Sequence, residues 1–433
     1  MTPSGASARG AALAVLGAVL DRRRPLDAAL AGCRPLARLA ARDRAFARLL
    51  VTTVLRRLGQ IDAVIAAFVP RPPPLAARNA LRLGAAQLLF LETPAHAAVD
   101  ATVALMPPGS PWRGLVNAVL RRLSREGATL VPTEDAPRRN TPEWLWRRWA
   151  AAYGEARARA IATAHLAEPP LDLSVKADPQ GWAARLGAEV LPWGSLRRPF
   201  AGPIEALPGY DQGAWWVQDA AAALPARLLG PLAGRTVIDL CAAPGGKTAE
   251  LAAAGARVVA VERDPKRLAR LAANLARLHL KAETVGADAA EWRPPAAAEA
   301  VLLDAPCTAT GTIRRRPDVA HLKSAADIAR LSRVQDRLLA AAAAMLAPGG
   351  TLVYCVCSLE PEEGPERIAA LLAGAPDLVR VPVTAAEIGG LAEAVSPAGD
   401  LRTLPCHLAA RGGLDGFYAA RLRRLGLAVR RPS

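Results

Sequence analysis

Two cysteines stand where a thiol could act as a nucleophile. Cys307 follows the apolar segment Ala300–Asp304, and Cys357 ends the apolar segment Thr351–Cys357. Short apolar runs predict buried strands, so both thiols are expected at the carboxyl edge of one sheet. A thiolate at that edge could carry out covalent catalysis. The alternative is that either cysteine is a small buried packing residue, the usual role of a free cysteine.

A glycine-rich loop forms a candidate ligand site. A strand is predicted over Thr236–Leu240 and a helix over Thr248–Ala254. Between them lie Cys241, Ala242, Ala243, Pro244, Gly245, Gly246 and Lys247. Glycines let a ligand approach the backbone, and the start of a helix offers free N–H groups. The spacing matches neither the dinucleotide motif GxGxxG nor the phosphate loop GxxxxGK[ST]. Lys247 is one of only five lysines beside 50 arginines, which indicates a specific role.

Acidic residues follow the neighbouring predicted strands. Glu262 closes the strand Arg257–Val261, Asp288 follows Glu283–Val285, and Asp304 closes the fourth strand. Sheets that bind nucleosides place a carboxylate at the end of the second strand for the ribose hydroxyls. Capping of the next helix is the alternative for any one of these acids, but it is a weaker explanation for the whole set.

The elements that position these residues alternate between strands and helices from about residue 218 onward. Helices are predicted over Gln218–Leu229, Pro265–Leu278 and Ala329–Leu346, the last closed by Pro348-Gly-Gly350. This order is typical of an α/β Rossmann-like domain with a doubly wound parallel sheet.

The residues upstream follow other patterns. Residues 1–125 have the apolar spacing of helices, and residues 127–142 are typical of a linker. We therefore predict an all-α domain over 1–130, a small α+β module over 141–208 and the α/β domain over 209–433.

Composition narrows the function classes. The 433 residues include 52% hydrophobic residues, which excludes global disorder, and no apolar run reaches the length of a transmembrane helix. The six cysteines form no CxxC pair and no zinc-type spacing with the five histidines, so we expect no metal, no disulfide framework and a reducing cytoplasm. The net charge of +16 favours a polyanionic partner.

The charge is unevenly distributed. Residues 1–130 hold 18 arginines, no lysine and seven acidic residues, a net charge of +11, whereas the remaining residues carry +5. The N-terminal domain is therefore expected to bind the polyanionic partner. Codon bias toward arginine is the alternative, but it does not explain the surplus over acids.

Three segments resemble motifs of the RsmB (Sun/Fmu) type of cytosine-5 RNA methyltransferases. They are Asp239–Thr248 (DLCAAPGGKT), Asp304–Gly311 (DAPCTATG, usually DAPCSATG) and Tyr354–Ser358 (YCVCS, usually YATCS). Val217-Gln218-Asp219 and Asp415–Leu422 are similar to two further motifs of that family. Upstream, Ala80–Leu89, His96–Val99 and Gly114–Arg122 resemble the NusB-like helical domain of the same family.

The resemblance implies an enzyme that forms 5-methylcytosine in 16S ribosomal RNA, at the cytosine conventionally numbered 967. It implies that Cys357 adds to carbon 6 of the base, that Cys307 assists proton removal and RNA release, and that Asp304 contacts the base. It also implies that S-adenosylmethionine is bound by Cys241, Ala242, Ala243, Pro244, Gly245, Gly246, Lys247, Glu262, Asp288 and Asp304.

Two departures from the family motifs bear on this site. Thr308 stands where serine is usual, and Val356 stands where threonine usually precedes the nucleophile. Two other functions remain open at this point. One is a cytosine-5 methyltransferase acting on transfer RNA or another ribosomal site, and the other is a non-catalytic NusB-like RNA-binding factor.

Overall fold

The structure is a computed structural model that describes residues 7–131, 134–200 and 202–426. Residues 132 and 133 of the predicted linker lie outside the described residues. The chain divides into two compact units. The first ends at Ala167 and includes the later segment Ile313–Lys323, and the second comprises Glu168–Thr312 and the chain from Ser324 onward.

The helices run in chain order as follows: α1 (Ala8–Leu20), α2 (Leu26–Ala31), α3 (Arg34–Ala37), α4 (Ala41–Arg56), α5 (Leu58–Phe68), α6 (Leu75–Phe90), α7 (Ala95–Val103), α8 (Trp112–Leu130), α9 (Ala136–Arg139), α10 (Glu143–Tyr153), α11 (Glu155–Ala164), α12 (Pro179–Leu186), α13 (Leu224–Arg227), α14 (Gly246–Ala253), α15 (Pro265–Arg277), α16 (Val319–Leu322), α17 (Ala325–Ala344) and α18 (Pro365–Gly374).

The strands are β1 (Leu171–Val175), β2 (Glu189–Val190), β3 (Leu196–Arg198), β4 (Trp215–Val217), β5 (Thr236–Leu240), β6 (Arg257–Val261), β7 (Glu283–Val285), β8 (Ala298–Asp304), β9 (Leu346–Val356), β10 (Leu378–Arg380), β11 (Leu401–Thr403) and β12 (Phe417–Arg424).

The first unit is helical, as the sequence predicts for residues 1–125. Its core is apolar, and α6 lies at the centre with Leu81 and Leu83 fully buried. Gly84 lets α8 approach closely, because a Cβ atom at that position would lie 2.5 Å from the side chain of Leu120. No described helix is long and apolar enough to span a membrane.

The segment Ile313–Lys323 belongs to this helical unit, although the loop that contains Cys307 directly precedes it in the chain. The Asp318 carboxylate accepts a hydrogen bond of 2.9 Å from the Leu26 N–H, and Arg56 donates one of 2.9 Å to the Arg314 carbonyl. A ring nitrogen of His321 lies 2.9 Å from the Leu55 carbonyl. These bonds attach the segment to the helices of the first unit.

The second unit contains a small antiparallel sheet in the order β2-β3-β1-β4. A buried ion pair joins two of its strands, since both carboxylate oxygens of Asp172 accept bonds of 2.7 Å from Arg197.

The large sheet of the second unit has the order β10-β12-β9-β8-β5-β6-β7, with β11 paired to β12. The five strands from β9 to β7 are parallel, and β12 and β10 are antiparallel. Strand β5 has β6 on one side and β8 on the other, so the winding reverses there. Ligands of such sheets bind at the carboxyl ends of the strands at this switch point. The predicted doubly wound α/β fold is confirmed.

Two predicted elements differ in extent. The helix predicted over Gln218–Leu229 is restricted to Leu224–Arg227, because Pro225 favours a helix start and Asp219 is bonded to another loop. Pro348-Gly-Gly350 does not close a helix. It lies within β9, where the register against β8 shifts between Ala298 and Ala300 and forms a bulge.

Candidate functional site

The glycine-rich loop joins the end of β5 to the start of α14. Gly245 has a φ of +101°, a value that favours glycine, and Cys241 has a φ of +61°. A Cβ atom at Gly245 would also lie 3.2 Å from Leu271 on α15. This loop leads into the N-terminus of α14 at the switch point, and the first N–H groups of a helix lack partners within the helix and can bind a ligand.

Asp239 lies in β5 beneath this loop and is fully buried. It accepts a hydrogen bond of 2.6 Å from the Thr248 hydroxyl, while its Oδ1 has no partner. Burial raises the pKa of Asp239 to about 7. A buried acceptor without a partner beside the loop fits a ligand that brings a hydrogen-bond donor.

Lys247 and Asp304 form an ion pair with an Nζ–Oδ2 distance of 2.7 Å. Although burial acts to lower the pKa of Lys247, the Asp304 carboxylate raises it above its usual value. The Lys247 ammonium also lies 4.8 Å from the centre of the Phe417 ring. Asp304 ends β8, so this pair connects the glycine-rich loop with the strand that precedes Cys307.

The other two predicted acids lie at the ends of β6 and β7. Glu262 is buried, and its carboxylate accepts a bond of 3.0 Å from the Asp264 N–H and lies 3.0 Å from Arg267 Nη1. Asp288 follows β7 and accepts a bond of 2.9 Å from the Ala290 N–H. Both acids therefore stabilise the following turn, and both lie at the same edge of the sheet as Asp304.

The two candidate thiols lie together. The Sγ atoms of Cys307 and Cys357 are 3.5 Å apart, and both residues are half-buried. The hydrogen bond with Cys357 and burial raise the pKa of the Cys307 thiol well above its usual value. Cys355, by contrast, is fully buried in β9, and burial raises the pKa of its thiol as well. Cys355 is therefore a packing residue.

Sequence reasoning missed Glu363, a buried carboxylate behind the two thiols. It accepts bonds from the Thr308 N–H at 2.9 Å, from the Ser358 hydroxyl at 2.6 Å and from the Thr308 hydroxyl. Gln335 on α17 donates a fourth bond of 3.2 Å. Burial raises the pKa of Glu363, and these donors oppose that effect. Glu363 follows Cys357 by six residues, but no local pattern indicates that it reaches the Cys307 loop.

The Thr308 departure from the family motif keeps the hydroxyl that serine would supply to this network. Gly311, at the end of the same motif, is packed against a second loop. Its N–H donates to the Cys357 carbonyl at 3.1 Å, and its carbonyl accepts from the Gly416 N–H at 2.8 Å. A Cβ atom at Gly311 would collide with the Gly416 carbonyl. The Cys307 loop is thus held on two sides.

Two motifs singled out in the sequence also meet. Asp219 accepts bonds from the Ala221 N–H at 2.8 Å and from the Asp415 N–H at 3.2 Å. Gln218 donates a bond of 2.6 Å to Glu250 on α14. The segment before β5 is therefore bonded both to α14, the helix that follows the glycine-rich loop, and to the loop before β12. Among the described residues, no group of three or more histidine, cysteine or acidic residues is arranged to hold a metal ion.

A doubly wound sheet with a glycine-rich loop at its switch point and acids at successive strand ends defines the Rossmann-like class of methyltransferases. Family models support this class: the 16S rRNA methyltransferase RsmB/F family matches residues 226–423, and the NusB family matches residues 6–125. The chain belongs to the ribosomal RNA small subunit methyltransferase B family. S-adenosylmethionine, predicted from the sequence as the cofactor, is confirmed by this membership.

Two curated relatives illustrate the similarity. Ribosomal RNA small subunit methyltransferase B of Xylella fastidiosa is 39% identical over 428 residues, which cover 94% of this chain and 98% of the relative. The protein of the same name from Klebsiella pneumoniae is 37% identical over 364 residues, 78% of this chain and 84% of the relative.

Solved structures share the fold. A crystal structure described as PH0851 has a TM-score of 0.74 and 23% identity, and the match covers 96% of this chain and 98% of that one. A methyltransferase homolog protein from Pyrococcus horikoshii has a TM-score of 0.53 and 29% identity, covering 64% and 94%.

Proposed function

We propose that this protein forms 5-methylcytosine in 16S ribosomal RNA, at the position of the cytosine-967 type, through a covalent bond between Cys357 and the base. The observation that carries the proposal is the pair of thiols 3.5 Å apart. They follow adjacent parallel strands, β8 and β9, and Asp304 of the Lys247–Asp304 pair ends the first of these strands.

Methylation of cytosine at carbon 5 requires an added nucleophile, because carbon 5 is itself too poor a nucleophile to attack a methyl donor. Addition of the Cys357 thiolate to carbon 6 opens the 5,6 double bond and gives carbon 5 enamine character. S-adenosylmethionine supplies the electrophilic methyl group when it is bound. Removal of the carbon 5 proton returns its electron pair to the 5,6 double bond and expels the Cys357 thiolate.

The roles of the two thiols are carried over from the family resemblance, in which Cys357 is the nucleophile. We assign Cys307 to assisting proton removal from carbon 5 and release of the RNA. Asp304 would contact the polar edge of the base. The glycine-rich loop, Glu262 and Asp288 would hold the cofactor.

The first unit would bind the RNA in the cytoplasm. Thirteen of the 18 arginines in residues 1–130 are exposed. Arginines at the surface neutralise phosphates and make binding salt-dependent. The target base must leave any stack to reach the thiols, at a cost of a few kcal/mol, which favours a single-stranded or loop substrate.

Bisulfite sequencing of ribosomal RNA from a strain that lacks this chain tests the proposal. We expect one methylcytosine of 16S RNA to disappear and to return when the wild-type chain is restored, but not when Cys357→Ala is supplied. An unchanged 16S profile, or loss of a methylcytosine from transfer RNA only, would refute the proposed substrate.

A further inference from the structure

A cavity of about 380 Å³ lies in the second unit, apart from the thiols and the cofactor loop. Its walls come from the small sheet, α13 and the last part of α14. None of the predicted cofactor residues lines it. Its size is within the range of small-molecule sites, and it opens to solvent.

Two tryptophans contribute atoms to the wall of the cavity. Trp193 and Trp216 both line it. Their N–H groups are already bonded, that of Trp193 to the Ala220 carbonyl at 3.0 Å and that of Trp216 to Gln218 at 2.6 Å. Each side chain is 5% exposed, and because its N–H is bonded, the part that reaches the cavity offers apolar contact.

One buried polar atom in the wall has no partner. Ser174 is 6% exposed, lines the cavity, and its hydroxyl makes no hydrogen bond. It lies opposite Trp216 in the β1–β4 pair, so both side chains are on the same face of the small sheet. A buried hydroxyl without a partner costs free energy, and a ligand with a polar edge would remove that cost.

The charged groups of the wall select the kind of ligand. Glu250 lines the cavity and uses one carboxylate oxygen to accept a bond from Gln218. Lys176 and Arg227 also line it and donate to backbone carbonyls at 2.9 and 3.0 Å. Two cations beside one carboxyl group disfavour a cationic ligand and suit a phosphate-bearing one.

We propose that this cavity binds one unstacked nucleobase of the RNA, with Trp193 and Trp216 contacting the ring and Ser174 and Glu250 bonding to its polar edge. The base need not be the methylated one, because the cavity excludes Cys307 and Cys357 from its lining. The inference rests on the proposed function only in taking RNA as the source of the base. It gives the enzyme a second, sequence-sensitive contact with its substrate.

A direct test uses the full chain and the four nucleoside 5′-monophosphates. Binding is followed by tryptophan fluorescence, and an azido-purine monophosphate locates the site by photocrosslinking and peptide mapping. We expect crosslinks in the segments that contain Ser174 or Trp193. Crosslinks confined to the loops of Cys307 and Cys357 would overturn the proposal.

A matched pair of variants adds the quantitative arm. Ser174→Val removes the hydroxyl, whereas Ser174→Thr keeps the hydroxyl on a side chain with the same shape as valine. We expect Ser174→Val, but not Ser174→Thr, to weaken mononucleotide binding, and Trp193→Leu to weaken it about tenfold. Equal affinity in all variants refutes the site. The melting temperature shows whether Trp193→Leu remains folded, and Ser174→Val keeps the test valid if it does not.

Binding of a 16S RNA fragment separates the two sources of a base. RNA affinity should fall in the same variants. If only mononucleotide binding falls, the cavity serves a free nucleotide and the RNA assignment is overturned. If the wild-type protein methylates 16S RNA and the variants bind that RNA as tightly as the wild type, this inference alone is refuted. If the wild-type protein has no activity on 16S RNA, the proposed function is refuted.

Discussion

The backbone N–H of Thr308 donates a hydrogen bond of 2.9 Å to the carboxylate of Glu363. Thr308 follows Cys307, and the same carboxylate accepts from Ser358, which follows Cys357. One buried side chain therefore connects the residues next to both thiols. Because catalytic groups must be held in a fixed geometry, we infer that Glu363 positions the two proposed catalytic thiols.

The hydroxyl of Thr308 gives the first prediction. Thr308→Val keeps the shape but removes a donor to Glu363, whereas Thr308→Ser keeps the donor. We expect methyl transfer by Thr308→Val to fall about tenfold, the effect of losing one hydrogen bond to a buried charged group. Thr308→Ser should retain wild-type rates.

The measurement is the rate of methyl transfer, together with the rate at which a mild oxidant joins Cys307 to Cys357. The second readout reports the separation of the sulfur atoms and should slow in Thr308→Val only. Cofactor affinity should not change, because Thr308 is not one of the residues predicted to hold the cofactor. Equal rates for valine and serine at this position would show that the hydroxyl does not position the thiols.

Local patterns predicted much of this arrangement and missed what depends on distant parts of the chain. Strand ends placed Cys307 and Cys357 at one edge of the sheet, because parallel strands share a carboxyl edge. Glu363 was missed since its partner Thr308 is 55 residues away in the chain. The helix predicted at Gln218 was too long for the same reason, as the Asp219 carboxylate bonds to Asp415 in another loop.

The second prediction concerns the two thiols. Cys357→Ala should abolish methyl transfer and leave cofactor binding unchanged, because it removes the atom that we propose adds to carbon 6. Cys307→Ala should retain the covalent bond between Cys357 and the RNA, since release is impaired. Denaturing gel electrophoresis with labelled RNA detects this adduct. If the adduct formed in Cys357→Ala and not in Cys307→Ala, the two roles would be exchanged.

The third prediction concerns pH. Burial raises the pKa of Glu250 to about 8, above its unfolded value near 4.5. Because the unfolded chain releases this proton first, the contribution of Glu250 to stability is present below about pH 4.5 and is lost as the pH rises toward 8. Glu250→Gln removes this dependence, on the order of a few kcal/mol at most. Its melting temperature should therefore fall less than that of the wild type between pH 5 and pH 8.

The exposed Glu291 provides the control for that measurement. Glu291→Gln makes the same chemical change at the surface, so its melting temperature should follow the wild type across the range. Asp239, whose pKa burial raises to about 7, still titrates in both variants, so some loss of stability at high pH remains in each. Parallel pH curves for Glu250→Gln and the wild type would contradict the prediction.

The last prediction tests the excess charge of the first unit. Deleting residues 1–130 is a poor test, because the segment Ile313–Lys323 is bonded to helices in that range, through Leu26 and Leu55 among others. Point substitutions keep the unit intact. Arg44 and Arg48 are exposed, one turn apart on α4, so they can contact neighbouring phosphates.

The double variant Arg44→Gln with Arg48→Gln should weaken RNA binding and reduce the slope of log affinity against log salt by about one for each lost phosphate contact. The matched control is Arg333→Gln with Arg337→Gln, an exposed pair with the same spacing on α17. Binding titrations between 50 and 200 mM salt, about the range over which such contacts are strongly screened, measure both slopes. If the two double variants changed the slope equally, the arginines of the first unit would contribute only general charge, and the RNA-binding role of that unit would lose its support.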